Sequence, residues 1–545
     1  MTTKSVSAAS LKAMLHDGEE LALLDVREAG EFGQAHLLFA IPLPYSRLEL
    51  DIPGLVPRRT TRIVLCDDGD SGIAARALKR LEGIGYSAVH VLEGGTRGWA
   101  AAGHTLFAGV NVPSKLFGEL VEHTYHTPRI TVHDLARMKQ SGENVVIVDG
   151  RPFAEYQKMN IPGGICCPNA ELPYRIGEIA KDANTKIVVN CAGRTRSILG
   201  AQTLINFGVP NAVYALENGT QGWVLADMAL ERGASRRYPD RVDERDVPRL
   251  REQAQVLARR YDVRTVSANE ARAWLEDGKR TTYLLDVRTP EEFEAGSLAG
   301  ALHAPGGQLV QATDQWVGVR NARIVLIDSE GVRAPVVASW LRQLGFEACV
   351  LEGGVRADVS APAPERPCLP SLPAVSPAEL KRMVDRHTAQ VIDLGSSMRF
   401  RKAHIPGSCW SIRPQLAAGG APAAHPANPA PAAARARPSD DTSAIVLVAD
   451  DENLARLAAI DLREAGATGV KLLDGGFSAW TQAGYATEAS PDVPPDSQCI
   501  DYLFFVHDRH AGNREAMRQY LQWETGLIAQ LDSDDRKLFR VGAGR

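Results

Sequence analysis

The sequence predicts an α/β protein of four tandem modules, each a parallel sheet flanked by helices, with a helical tail at the C-terminus. Three observations predict it. A set of landmarks recurs four times in the same order, the mark of repeated units. Within each unit, short apolar runs alternate with segments of helical period, the pattern of a parallel sheet covered by helices on both faces. The 545 residues also exceed what a single hydrophobic core can serve, so several domains are expected.

The first landmark is an apolar strand ending in aspartate: Leu24-Asp25-Val26-Arg27, Val148-Asp149-Gly150-Arg151, Leu285-Asp286-Val287-Arg288 and Ile392-Asp393-Leu394-Gly395. The second is a strand entering a loop, at Ile63-Val64-Leu65, Ile187-Val188-Val189, Ile324-Val325-Leu326 and Ile445-Val446-Leu447. The third is an acidic residue before a glycine turn: Glu93-Gly94-Gly95, Glu217-Asn218-Gly219, Glu352-Gly353-Gly354 and Asp474-Gly475-Gly476. Three copies add a tryptophan soon after it, Trp99, Trp223 and Trp480. Helical period fills the intervals, for example over 74–81, 198–207 and 336–344.

Spacing fixes the boundaries. Asp25 to Glu93 and Asp149 to Glu217 both span 68 residues, Asp286 to Glu352 spans 66, and the fourth copy spans 81 because an Ala/Pro-rich insert lies inside it. The modules are read as 4–108, 125–232, 262–360 and 373–488, with the insert at 414–438 read as a disordered excursion. Residues 231–260 are charged and read as a polar linker or linker helix; 361–377 are proline-rich and read as an extended linker. The tail, 499–545, reads as a short extended piece over 502–507 followed by an amphipathic helix over 513–531, packed on the modules or on a second copy in a homo-oligomer.

Composition narrows the function classes. The net charge of −5 with no basic block argues against a nucleic-acid partner. No apolar run approaches the roughly 18 residues of a membrane span, and 1–10 lack a hydrophobic signal core, so a cytoplasmic location is expected. Eight scattered cysteines suggest no disulfide framework, as suits a reducing compartment. No pairing of cysteines or histidines has zinc spacing, and neither a metal nor an organic cofactor is expected.

The most informative segment is Ile187-Val188-Val189-Asn190-Cys191-Ala192-Gly193-Arg194-Thr195-Arg196-Ser197. An apolar strand ends in a cysteine, a loop with two arginines follows, and a helix begins. In parallel α/β sheets ligands bind beyond the carboxyl ends of strands. Amides of Ala192, Gly193, Arg194, Thr195, Arg196 and Ser197 can turn inward as an anion nest at a helix N-terminus. Arg194 and Arg196 add permanent positive charge. Such surroundings favour the thiolate, the nucleophilic form of cysteine.

These landmarks together resemble the rhodanese family of sulfurtransferases, over nearly the whole chain to about residue 488. The matching residues include Asp25-Val26-Arg27 with Glu31-Phe32, Asp286-Val287-Arg288 with Glu291-Glu292-Phe293, Ala403-His404-Ile405-Pro406-Gly407, and the turn ending at Trp99. The resemblance implies a sulfurtransferase, thiosulfate-type or persulfide-using. Cys191 would take a sulfane sulfur from a small anionic donor, hold it as a persulfide, and pass it to cyanide or a thiol, including a protein thiol, with ping-pong kinetics. It also implies a preference over the rhodanese-like phosphatases, whose Cys…Arg loop is one residue longer than the loop from Cys191 to Arg196.

Register picks the chemical copy. Asp149 to Cys191 is 42 residues; the same count from Asp25 and Asp286 reaches Asp67 and Asp328, and counting from the strand reaches Ala449 in the fourth copy. None can carry a persulfide. Cys66 falls one residue short, its loop is acidic, and it is read as a buried strand-end thiol or a second reactive one. Asp149 and Arg151 read as a supporting ion pair, because the motif persists in copies without the thiol. Cys166 and Cys167 read as core or as a resolving thiol pair, His36 and His404 as structural, and Trp223 as core. The alternative function, from another class, is a regulatory or scaffold protein whose modules bind partners.

Overall fold

A computed structural model describes residues 4–417 and 444–542. Four five-stranded sheets follow one another along the chain, and with strands numbered along each module the order is 1-5-4-2-3 every time. All pairings are parallel. In the second module the strands are Arg129–Ile130, Val145–Asp149, Ile165–Cys166, Lys186–Asn190 and Val213–Leu216. The central strands are apolar runs buried on both faces, as a helix-covered parallel sheet demands.

Expected and observed helices agree in place and differ at their ends: Ile73–Gly83, Thr195–Phe207 and Arg333–Gln343. The earlier starts reflect loop residues drawn into the first turn, where apolar period carries no signal.

Two backbone features fix the equivalence of the modules. Asp25 pairs with Cys66, Asp149 with Asn190, Asp286 with Ile327 and Asp393 with Val448. The next residue in each case, Asp67, Cys191, Asp328 or Ala449, leaves the sheet. Its carbonyl lies beneath the turn glycine, Gly95, Gly219, Gly354 or Gly476, whose φ values are +55, +52, +52 and +61°. A Cβ at these glycines would approach that carbonyl oxygen to 2.4, 2.1, 2.0 and 2.5 Å. Only glycine permits both the left-handed backbone and the close approach.

The modules share interfaces rather than hanging on linkers. Tyr283 of the third donates to the Leu55 carbonyl of the first, and Leu21 bridges to Arg320. Arg413 of the fourth is enclosed with Glu49 of the first and Asp461. Arg333 of the third, fully buried, meets Glu171 of the second and its own module's Glu292 and Glu330.

Several expectations change. The charged linker contains the helix Val247–Arg260, which buries Leu250, Ala254 and Leu257. The stretch before it returns to the second module through bridges Asn160–Glu231 and Cys166–Arg237. The proline-rich linker ends early, because Ala374–Val375 already form the first strand of the fourth module. The insert does not begin at 414: Arg413–Ala417 is a short helix held by the Arg413 ion pairs, and the rest of the insert lies outside the described residues. The tail has no extended piece at 502–507; Phe504–His507 is helical, followed by the helix Arg514–Gly526. A short apolar run does not distinguish the two states by period alone. An unforeseen helix, Val112–Tyr125, joins the first two modules and packs along Thr195–Phe207.

No helix among the described residues is long and apolar enough to cross a membrane.

Candidate active site

Cys191 stands one residue beyond the strand Lys186–Asn190, with 2 % of its surface exposed. Its position is held from three sides. Thr220 donates its amide to the Cys191 carbonyl at 2.9 Å. Gln221 donates both its amide and its side-chain Nε2 to the Ala192 carbonyl, each at 3.1 Å. Asn190, the residue before, donates to Asp149 at 3.1 Å, and Asp149 is clamped by Arg151 at 2.8 and 2.7 Å. The Asp–Arg clamp recurs as Asp25–Arg27 and Asp286–Arg288, so it belongs to the fold of the module. The only side-chain hydrogen bond to Cys191 among the described residues comes from Ser197, whose Oγ donates to Sγ at 3.1 Å.

The loop arginines do not stand as free cations. Arg194 lies against the helix Val112–Tyr125, donating to both oxygens of Glu119 at 2.7 and 2.9 Å and also to Glu122. Burial pushes the Glu119 carboxyl above the usual carboxylate range in spite of Arg194. Arg196 forms a bidentate pair with Glu155, 2.8 Å for each bond, and reaches Gln308 of the third module at 3.4 Å. Against its burial, Arg196 holds the Glu155 carboxyl down at about 2. Charge around the loop is therefore balanced, and the positive cradle expected from sequence is a set of ion pairs.

The tail closes the remaining side. The helix Thr195–Phe207 has no side-chain cap of its own. Glu524, fully buried on the tail helix Arg514–Gly526, supplies one: its Oε1 accepts from the Thr195 hydroxyl at 2.6 Å and from the Thr195 amide at 3.4 Å. A carboxylate is the group a helix N-terminus favours. Lys115 pairs with the same oxygen at 3.5 Å.

The sister loops show what this loop can hold. Asp328, the counterpart of Cys191, accepts from the amides of Gly331, Val332 and Ala334, each at 2.9 Å. Asp67 accepts from the amides of Gly69 and Ala74 at 2.8 and 3.0 Å and from the Ser71 hydroxyl. Both loops are anion nests filled by their own carboxylate.

The family described as rhodanese-like domain matches at residues 7–102, 131–226, 267–361 and 376–483. The chain is a member of the rhodanese family. A thiosulfate sulfurtransferase from Pseudomonas aeruginosa is similar over 99% of both chains, with 41% identity and a TM-score of 0.88. An HTH-type transcriptional regulator of Mycobacterium tuberculosis is 36% identical over 105 residues, 19% of this chain and 45% of that protein. A candidate sulfur carrier protein of Bacillus subtilis is 28% identical over 102 residues, 19% of this chain and 54% of that protein. Those two similarities span about half the length of the relatives and one module of this rhodanese.

The other thiols of this rhodanese sit elsewhere. Cys66 is the counterpart of Asn190, fully buried, and burial beside Asp25 pushes its thiol well above the usual value. Cys166 is pushed up to about 12 by burial, and Cys167 is pushed up in the same direction. Neither adjoins the Cys191 loop through any hydrogen bond among the described residues. Trp223 donates to the Ala229 carbonyl, as Trp99 does to Thr105 and Trp480 to Ala486, so all three brace the fold. His36 and His404 lie against Phe32 and Phe400 with Nδ1 on the carbonyl four residues back.

Sequence reasoning missed Lys115, Glu119, Glu122, Glu155, Gln221 and Glu524. The helix bearing the first three was signalled by Pro113 at its start and apolar residues at 112, 116, 117, 120 and 121. Nothing local ties Glu524 to Thr195, 329 residues away.

Proposed function

We propose that this rhodanese is a sulfurtransferase whose second module carries the reaction on Cys191. The thiolate attacks the sulfane sulfur of an anionic donor such as thiosulfate; sulfite leaves with the electron pair of the broken S–S bond, and the sulfur stays as a Cys191 persulfide. An acceptor thiolate or cyanide then attacks that outer sulfur and returns Cys191 as thiolate. The family and the likeness to a thiosulfate sulfurtransferase support the reaction class.

The observation that carries the site assignment is the comparison of Cys191 with Asp328. A carboxylate oxygen lies two bonds from Cβ, whereas Sγ lies one. The amides that converge on the Asp328 oxygens in the third module thus correspond to a point one bond beyond Sγ in the second. That point is where the outer sulfur of a persulfide would sit, with Ser197 on Sγ itself. Asp67 and Asp328 lack a sulfur nucleophile and fill their own nests, and Ala449 has no functional group, which supports a non-catalytic role for the other three modules.

Intact-mass measurement after thiosulfate treatment tests this. Wild type gains one sulfur and Cys191→Ala gains none. Sulfur retained on Cys191→Ala would assign the reaction to another thiol.

A further inference from the structure

Thiosulfate is a dianion, yet the two loop arginines are neutralised by Glu119, Glu122 and Glu155. Lys115 is likewise paired with Glu524. A cation without a carboxylate partner stands beside them. Arg509, on the short 3-10 turn Asp508–Ala511 of the tail, forms no ion pair among the described residues. Only its Nε is engaged, donating to the Val506 carbonyl at 2.9 Å. Neither terminal nitrogen has a hydrogen-bond partner among the described residues, and Nη1 is buried. A buried guanidinium nitrogen without an acceptor is costly, so an acceptor is expected there.

Tyr520 places Arg509 at the Cys191 loop. The guanidinium carbon lies 3.4 Å from the centroid of the Tyr520 ring. The edge of that ring lies 3.4 Å from the position a Cβ would take on Gly193. One aromatic ring thus separates Arg509 from the loop. Its charge is felt there: against burial, Lys115, Thr195 and Arg509 hold the Glu524 carboxyl below its usual value. His510, the next residue, acts with Arg196 and Arg151 against the burial of Glu155. The turn therefore runs from the carboxylate on Thr195 toward the carboxylate on Arg196. Solvent reaches this side of the loop, because Glu155 and Arg196 keep 37% and 12% of their side-chain surface exposed and Arg509 is half-buried.

We propose that Arg509 of the tail binds the oxyanion headgroup of the sulfur donor and so makes the Cys191 site selective for donors of the thiosulfate type. The inference rests on Cys191 carrying the sulfur. The planar fork of a guanidinium matches two oxygens of a sulfonate. Cyanide and simple thiols offer no such pair of oxygens, so Arg509 acts on the loading half of the cycle. There the Cys191 thiolate bonds to the sulfane sulfur, the S–S bond of the donor breaks, and sulfite leaves with its electron pair. Arg509 meets the charge that builds on the sulfite oxygens. No oxidant or reductant is consumed.

The test uses the full chain. Loading is followed by intact mass against the concentration of two donors: thiosulfate, and the hydropersulfide of 2-mercaptoethanol, which has no oxyanion headgroup. Arg509→Met raises the thiosulfate concentration for half-maximal loading, and lowers the preference for thiosulfate over the hydropersulfide, by about ten- to a hundredfold, the range of a hydrogen bond to a charged group. Arg509→Lys keeps the charge and loses the fork, and its preference lies between those of wild type and Arg509→Met. A preference unchanged in Arg509→Met overturns the proposal. Equal slowing with both donors, the preference kept, marks Arg509 as a prop for Tyr520 and also overturns it. If wild type loads from neither donor, the reading of Cys191 falls first and this one with it; loading of wild type and Arg509→Met with the same preference removes this one alone.

Discussion

Arg194→Met separates a structural strut from a free cation. Arg194 and Glu119 are 9% and 2% exposed, with two bonds of 2.7 and 2.9 Å between them. Removing one partner of a buried pair costs about 3–5 kcal/mol, because the other charge is left stranded. Glu122 loses less, since it is nearer solvent and retains Arg129 at 3.6 Å. The chain has four modules and no single unfolding step, so the measurement is amide exchange over residues 191–199. At 1.4 kcal/mol per decade, a cost of that size speeds local exchange by roughly a hundred- to several thousandfold. The pH dependence has a definite sign. Burial already raises the Glu119 carboxyl, and loss of Arg194 raises it further. A carboxyl raised above its unfolded value favours the fold while it is protonated, so the deficit is smallest in acid and grows as pH climbs through the folded-state value. Arg194→Met with Glu119→Met removes both charges and restores slow exchange and most of the sulfur-loading rate. If the double variant exchanges and loads as poorly as the single one, Arg194 acts on the donor as a cation and the strut reasoning is refuted.

Other consequences are direct. Ser197→Ala removes the hydroxyl on Cys191 Sγ and slows loading by about ten- to a hundredfold, read from the time course of mass gain. Cys66→Ala leaves loading within about twofold of wild type, because its thiol is buried in the place of Asn190 and held protonated; in native protein, iodoacetamide leaves Cys66 and Cys167 unlabelled, as peptide mapping will show. Arg333→Met strands the buried Glu330, while Glu171 keeps Arg175 at 2.6 Å, and costs about 3–5 kcal/mol at the boundary of the second and third modules, seen as faster exchange along Arg333–Gln343.

The sequence carries the fold because its information is local and repeated: an aspartate closing a strand, a cysteine or its substitute four residues into the next central strand and loop, and a glycine whose missing Cβ lets the turn sit on a carbonyl. Each landmark answers a backbone constraint, so counting residues suffices to align Cys191 with Asp67, Asp328 and Ala449. The electrostatics of the site was not legible in this way. Arg194 and Arg196 read as cations in the sequence because their partners, Glu119 and Glu155, lie 75 residues and 41 residues away. The cap on the Cys191 helix comes from the far end of the chain. Charge pairing depends on tertiary approach, which neither period nor motif encodes.

Comparison among the four modules also sorts structure from chemistry. The aspartate–arginine clamp serves modules with and without the thiol. So does the pairing of the loop arginine with a helix glutamate, since Arg333–Glu292 in the third module repeats Arg196–Glu155. Neither can be what distinguishes the second module. What separates it is narrower. The sixth residue after Cys191 is Ser197, against Ile73, Ala334 and Ala455 at the same count elsewhere. The second residue after the turn glycine is Gln221, against Arg97, Arg356 and Ser478. Only the second module's loop is capped by Glu524. A serine on the sulfur, a glutamine on the Ala192 carbonyl and a tail carboxylate on Thr195 all act on the loop that carries Cys191. The tail therefore does more than strap the modules together: it brings a carboxylate to the N-terminus of the helix that follows Cys191.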